Sequence, residues 1–186
     1  KRMLAYSSIA HVGFVLVGVI ATSRAGIASV LFYLLAYGFD TIGAFGIVSL
    51  VRGAGGEATH LSQWAGLGRR SPWVAGVFGV FLLAFAGIPL TSGFTSKFAV
   101  FSAAAAGGAI PLVIVGVLAS AVAAFFYVRV IVLMFFNDPA PDAPTVVVPG
   151  AMTTTAITVG VAMTVVLGVA PQYFLDLADQ AALLVR

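Results

Sequence analysis

The apolar stretch from Pro72 to about Ala106 constrains the chain most, because it is interrupted in its middle by Gly87-Ile88-Pro89-Leu90-Thr91-Ser92-Gly93 and followed by Lys97. One membrane crossing takes ~20 residues, and this run is longer. Pro89 has no N–H to return to the preceding turn, so carbonyls near Phe85 and Ala86 lose their helical partners. Backbone left unpaired at membrane depth is tolerated only where protein or enclosed water supplies hydrogen bonds. Thr91, Ser92, Thr95 and Ser96 offer hydroxyls for that purpose and for a short file of water. An ordinary proline kink is the plain alternative, but a kink with two glycines, a hydroxyl cluster and a lysine is a polar device in an apolar segment. Discontinuous helices of this kind recur at the midplane sites of transporters.

The rest of the sequence agrees that the solvent is a bilayer. Of its 186 residues, 61% are hydrophobic and 8% charged, and mean hydropathy is +1.13. Soluble domains carry roughly 25% charged residues, so this chain cannot cover itself with polar groups. It has no cysteine, which excludes disulfides, cysteine-ligated iron–sulfur clusters and covalently attached haem. Redox chemistry therefore belongs to partner chains. The basic start Lys1-Arg2 lacks the cleavage site and soluble mature domain of a signal peptide, and the missing initiator Met points to a piece of a longer protein.

The expected fold is an all-α membrane protein of five spans, about 4–21, 27–51, 72–106, 111–136 and 152–169, with the third discontinuous. Residues 1–171 form the bundle, and 172–186 alternate at helical spacing as an interfacial tail. Thr22-Ser23-Arg24 makes the first turn, and Asn137 to Pro144 is a proline-rich loop. Trp64 and Trp73 suit an interfacial aromatic belt. No strand alternation predicts a sheet, and no internal repeat is visible. Basic residues at the loops divide unequally: Lys1, Arg2, Arg52, Arg69 and Arg70 on one side, Arg24 and Arg186 on the other. The positive-inside rule then puts the N-terminus of this piece in the cytoplasm and its C-terminus outside.

Three ionisable groups remain near the middle of spans: His11, Asp40 and Lys97. A mid-bilayer charge costs ~2.5–3.5 kcal/mol on an insertion scale, so each is a functional candidate by default. For Lys97 the bland account is snorkelling, but helix extends on both sides of it. Asp40, in Tyr37-Gly38-Phe39-Asp40-Thr41-Ile42-Gly43, is either a hydrogen-bonded structural carboxyl or a partner of Lys97 or His11. His11 is either a core histidine bonded to Ser7 or Ser8 or a proton carrier, its ordinary pKa lying near 6.5. Arg129 reads as an ion-pairing or carbonyl-binding residue steadying helix ends, and His60 as a surface residue.

Three segments together resemble a known family. Lys1-Arg2-Met3-Leu4-Ala5-Tyr6-Ser7-Ser8-Ile9-Ala10-His11-Val12-Gly13, Gly87-Ile88-Pro89-Leu90-Thr91-Ser92-Gly93-Phe94 with Lys97-Phe98, and Tyr127-Val128-Arg129-Val130 with Met134-Phe135 are similar to the signatures of antiporter-like membrane subunits. Within these, the pattern is most similar to the subunit-N branch of proton-pumping NADH:quinone oxidoreductase, respiratory complex I. The Ala, Val and Gly bias and the connection Gly56 to Leu61 resemble actinobacterial members. The resemblance implies helices ten to fourteen of a fourteen-helix subunit, with the broken span as helix twelve.

It also implies a proton-translocating role for Lys97, with His11 on a central polar axis, as part of a translocase in a bacterial plasma membrane. NADH, FMN, iron–sulfur clusters and quinone would sit on partner subunits, with no cofactor or metal on this chain. The implied partners are other membrane subunits, lipid and protons, and not nucleic acid. The family often has glycine where this chain has Ser96, and small, hydroxyl or apolar residues where it has Asp40. Subunits of multisubunit cation/proton antiporters and membrane-bound hydrogenases share the motifs. A membrane scaffold whose polar residues only pair helices is the remaining alternative.

Overall fold

A computed structural model describes residues 1–53, 55–139 and 143–185. The chain is built from α1 Arg2–Ile20, α2 Arg24–Leu50, α3 Leu67–Arg70, α4 Pro72–Ala86, α5 Ser92–Ala106, α6 Ile110–Phe136, α7 Ala151–Val169 and α8 Gln172–Ala182. Helices α1, α2, α6 and α7 are long and apolar enough to cross a membrane, and α4 is a shorter apolar helix. The all-α membrane architecture expected from sequence is observed, with its third crossing divided into α4 and α5. Helix α2 is central, packing on α1, α4, α5, α7 and α8. Its start is fixed locally: Ser23 accepts the Gly26 N–H at 3.1 Å, a side-chain cap on the first turn.

The division of the third crossing has a sharper cause than proline alone. Helix α4 ends at Gly87, whose φ of 81° lies in the left-handed region. The N–H groups of Gly87 and Ile88 return to Leu83 O at 3.0 and 3.1 Å, closing the helix as a glycine C-cap does. Pro89 follows two residues later and keeps the helix from resuming. Leu90 also has a positive φ, 71°, uncommon for a residue with a side chain. Helix α5 then starts at Ser92, and Gly93 lets it approach the end of α4: a Cβ there would lie 1.7 Å from Ala84 O.

Packing is apolar between helices and polar at chosen points. Phe78, Phe81, Leu82 and Phe85 of α4 lie in one core with Ala44, Ile47 and Val48 of α2 and Val130 and Met134 of α6. A second cluster sets Phe32 and Ala36 of α2 against Leu167 of α7 and Ala178 and Ala182 of α8. Helix α8 is thus laid along the bundle, with Arg24 and Asp179 pairing at its exposed side.

The connections depart from expectation. Val51–Gly53, Gly56–Glu57 and Thr145–Val146 form strands β1, β2 and β3, a small antiparallel sheet in the order β2-β1-β3. Strands of two or three residues are too short to carry an alternation signal, so the expectation of no sheet fails here. Trp64 is buried against Phe78, with ring centroids 5.0 Å apart, rather than lying in an interfacial belt; Trp73 is exposed. Lys1 hydrogen-bonds and pairs with Glu57, which holds that carboxyl below its ordinary range. Arg69 pairs with Asp138 at 2.5 Å. Ala140, Pro141 and Asp142 of the proline-rich loop, and Arg186 of the charge count, lie outside the described residues.

Candidate functional site

Lys97 lies one and a half turns into α5, and its side chain is folded back towards the end of α4. Its ammonium donates to Phe85 O at 2.7 Å and to Ser120 Oγ of α6 at 2.9 Å. Phe85 is four residues before Pro89, so its carbonyl is one whose helical donor the proline removes. The helix break therefore supplies the acceptor that the lysine uses. Gly87 leaves the room: a Cβ there would lie 3.1 Å from Cδ and 3.2 Å from Nζ of Lys97. The ring of Phe14 lies beneath the ammonium, 5.2 Å to its centroid.

Magnitudes decide whether such a site can hold a charge. Hydrogen bonds to a charged group contribute about 1.5–3 kcal/mol each. Two of them, about 3–6 kcal/mol together, cover the ~2.5–3.5 kcal/mol that a mid-membrane lysine costs. The ammonium is tolerated without a carboxylate partner.

Asp40 does not supply that partner. It is 2% exposed, and its oxygens face Ser92 Oγ at 2.9 and 2.8 Å and Thr164 Oγ1 at 2.5 Å. Among the described residues no cation pairs with it. Of the two readings open for Asp40, the hydrogen-bonded carboxyl is the one observed, joining α2, α5 and α7, and not a pair with Lys97 or His11. The reason is rotational: Ser92 and Lys97 are five residues apart on α5, which places them on different faces of a 3.6-residue helix. Asp40 also meets the first residue of α5, and a helix N-terminus favours negative charge. Thr164 has one proton for two acceptors, Asp40 and Gly160 O, the latter at 2.8 Å.

His11 is 3% exposed and bonds neither Ser7 nor Ser8. Its Nδ1 lies 2.8 Å from the hydroxyl of Tyr33 in α2. Nε2 is buried and has no partner among the described residues. Ser7 instead bonds Tyr127 of α6, and Ser8 receives the Tyr37 hydroxyl at 2.8 Å while donating to Leu4 O at 3.1 Å. The histidine ring stacks on Tyr37, centroids 4.4 Å apart, and meets Phe14 and Phe85 edge-on at 5.7 and 5.6 Å. The Phe14 ring also lies against the Lys97 ammonium and Phe85 gives that ammonium its carbonyl, so His11 and Lys97 share these two residues as neighbours.

Arg129 is exposed and makes no ion pair among the described residues. It lines a cavity of about 990 Å³ between α1 and α6, whose wall also includes Ser7 and Tyr127. Thr91 donates to Ile88 O at 2.7 Å and so satisfies a carbonyl of the broken backbone, whereas Ser96 bonds Gly93 O at 3.2 Å within the first turns of α5. Among the described residues no three metal-ligating side chains gather. Sequence reasoning missed Tyr33, Tyr37, Tyr127, Ser120 and Thr164. The tyrosines carried a signal, since a hydroxyl deep in an apolar helix needs a partner; Ser120 and Thr164 carried none, because either residue can satisfy itself on its own helix.

Residues 1–123 match the family described as NADH:quinone oxidoreductase/Mrp antiporter, TM. The chain is 75% identical over its whole length to NADH-quinone oxidoreductase subunit N 3 of Streptomyces griseus, covering 34% of that protein. It is 70% identical over its whole length to NADH-quinone oxidoreductase subunit N of Rhodococcus opacus, again covering 34%. The chain thus spans about a third of the length of these relatives. Among solved structures it is similar to a chain of respiratory complex I from Thermus thermophilus with bound aureothin, at 28% identity and a TM-score of 0.79, over 95% of this chain and 39% of that one. A chain of the Mrp complex from Dietzia shares the fold, with 24% identity and a TM-score of 0.79, over 96% of this chain and 41% of that one.

Proposed function

This chain belongs to the NADH:quinone oxidoreductase/Mrp antiporter transmembrane family, and on that premise we propose that it forms part of a proton-translocating membrane subunit of an NADH:quinone oxidoreductase. The observation that carries the proposal is the Lys97 ammonium, held at a helix break by Phe85 O and Ser120. A lysine stabilised by neutral acceptors alone gives up its proton when a positive charge arrives nearby. At an effective dielectric constant of ~20, two unit charges ~8 Å apart interact by about 2 kcal/mol, more than one pKa unit. Charge changes that begin with quinone reduction elsewhere can therefore pass along buried groups as protonation changes.

In this scheme Lys97 and His11 exchange protons past their shared neighbours Phe14 and Phe85. Asp40 is a separate proton-sensitive group that fixes the start of α5, and Pro89, Gly93, Thr91 and Ser92 maintain the break. Arg129 steadies the end of α6 by pairing with groups beyond this chain. NADH, FMN, iron–sulfur clusters and quinone belong to partner subunits, and the neighbours of this chain are other membrane subunits and lipid. The spans form one bundle over residues 1–171, with residues 172–186 at the interface. The basic loops, with Lys1, face the bacterial cytoplasm, and the C-terminal end faces outward.

The test is Lys97→Ala in the full-length subunit, within the assembled complex reconstituted in vesicles. Proton translocation per quinone reduced should fall several-fold while the amount of assembled complex holds. Full pumping would sink the assignment, and loss of assembly would favour a scaffold role. A cation/proton antiporter subunit is the second reading, favoured by the oxygen-lined Asp40 cluster. Sodium flux through the same vesicles, driven by a proton gradient without NADH, would select it.

A further inference from the structure

We propose that Tyr33 is the positioning residue that makes His11 a one-sided proton carrier, exchanging its proton only at Nε2. The inference rests on the proton-handling role proposed for this bundle and adds a residue to it. Its basis is geometric. Tyr33 is 1% exposed, and its hydroxyl meets Nδ1 of His11 at 2.8 Å. The opposite nitrogen, Nε2, is buried and has no partner among the described residues. The two nitrogens of one imidazole are thus in unlike settings, and the hydrogen bond at one decides the chemistry at the other.

A neutral hydroxyl suits this purpose where a carboxylate would not. We take the tautomer in which Nδ1–H donates to the Tyr33 oxygen, and in that tautomer the lone pair is left on Nε2. A proton taken up on Nε2 gives an imidazolium whose Nδ1–H bond to Tyr33 is unchanged. The same proton leaves from Nε2, and the neutral ring is restored with no rotation. A carboxylate would add a negative charge and hold the imidazolium too firmly for release. The aromatic wall prevents the ring from turning: Tyr37 stacks on it, and Phe14, Tyr33 and Phe85 meet its edges.

The neighbours are enough to define the surroundings. Facing His11 are Tyr33 and Tyr37 of α2, Phe85 of α4, and Lys97 of α5 across Phe14; Tyr127 of α6 is bonded to Ser7 one turn away. Asp40 lies farther along α2, engaged by Ser92 and Thr164. Among these groups only Tyr33 touches a ring nitrogen, so one substitution isolates its effect.

The experiment uses the assembled complex carrying the full-length subunit. Tyr33→Phe keeps the ring and removes one oxygen. Proton translocation per quinone reduced should drop at least several-fold, and the midpoint of its pH profile should move by about half a unit or more. Tyr37→Phe, which loses only the bond to Ser8, should leave that midpoint in place. In a double-mutant cycle, Tyr33→Phe added to His11→Ala should cost nothing further, because the two residues act as one unit. An unmoved profile, or effects of Tyr33→Phe and His11→Ala that add, would overturn the inference. If Lys97→Ala pumps fully, the proton-handling proposal fails; if it does not and the Tyr33→Phe profile is unmoved, only this inference fails.

Discussion

At the scale of the residue, Asp40 is the group for which the sequence left two readings open, and the structure shows the hydrogen-bonded carboxyl. It lies among hydroxyl donors, and of these Ser92 would be left unmatched if the carboxyl were removed, whereas Thr164 would keep Gly160 O. Asp40→Asn retains an acceptor but turns an N–H₂ towards Ser92 or Thr164. Pumping in vesicles should change in rate or in pH dependence; an unchanged profile would reduce Asp40 to a structural bond. Thr164→Val probes the same carboxyl from α7. It leaves a buried carboxyl short of one donor, a cost of ~1–3 kcal/mol, and the assembled complex should inactivate at lower temperature. Equal stability would mean that Thr164 serves Gly160 O, 2.8 Å away, rather than Asp40.

At the scale of the element, the break between α4 and α5 is a joint with two tight fits. Gly87 adopts a backbone that side chains resist, and Gly93 brings the start of α5 onto the end of α4. Gly93→Ala should be the harsher change, since the new methyl meets the Ala84 carbonyl and not a movable side chain. Forcing the half-helices apart costs at the upper end of the ~1–3 kcal/mol typical of overpacking. It also moves Lys97 away from Phe85 O. Reduced assembly together with lost pumping is the expected outcome, measured on membranes by the amount of complex and by proton uptake; normal levels of both would show that the joint flexes freely. The cut in this span was legible because proline, two glycines and hydroxyls are rare together in apolar sequence. That the lysine folds back to the carbonyl freed by Pro89 was not legible, because it depends on the direction α5 takes after the turn.

At the scale of the molecule, α8 shows which forces hold the piece together. Its ion pair, Arg24 with Asp179, is close to half exposed, 41% and 47%, and such pairs contribute ~0–1 kcal/mol. Its apolar face is another matter: Ala182 is 1% exposed and lies with Ala178 in the cluster of Phe32, Ala36 and Leu167. Arg24→Ala should leave protease resistance of the C-terminal segment unchanged, whereas Ala182→Asp, burying an unpaired charge, should release α8 to cleavage. Equal resistance in both variants would mean that α8 is held by something other than this face.

Several features were determined by the sequence alone. Composition and run length made the solvent a bilayer, Pro89 with its glycines placed the break, and three mid-span ionisable residues marked where polar chemistry must lie. These follow from local physics: the cost of a charge in hydrocarbon, the missing N–H of proline, and the length of a helix that crosses. Tertiary structure alone decided the pairings. Asp40 went to Ser92 and Thr164, His11 to Tyr33, and Lys97 to Phe85 O and Ser120. A side chain's partner depends on which faces of separate helices meet, and rotation of one helix by a single residue changes that face by 100°. Residues as far apart in the chain as Asp40 and Thr164 carry no local mark of their contact.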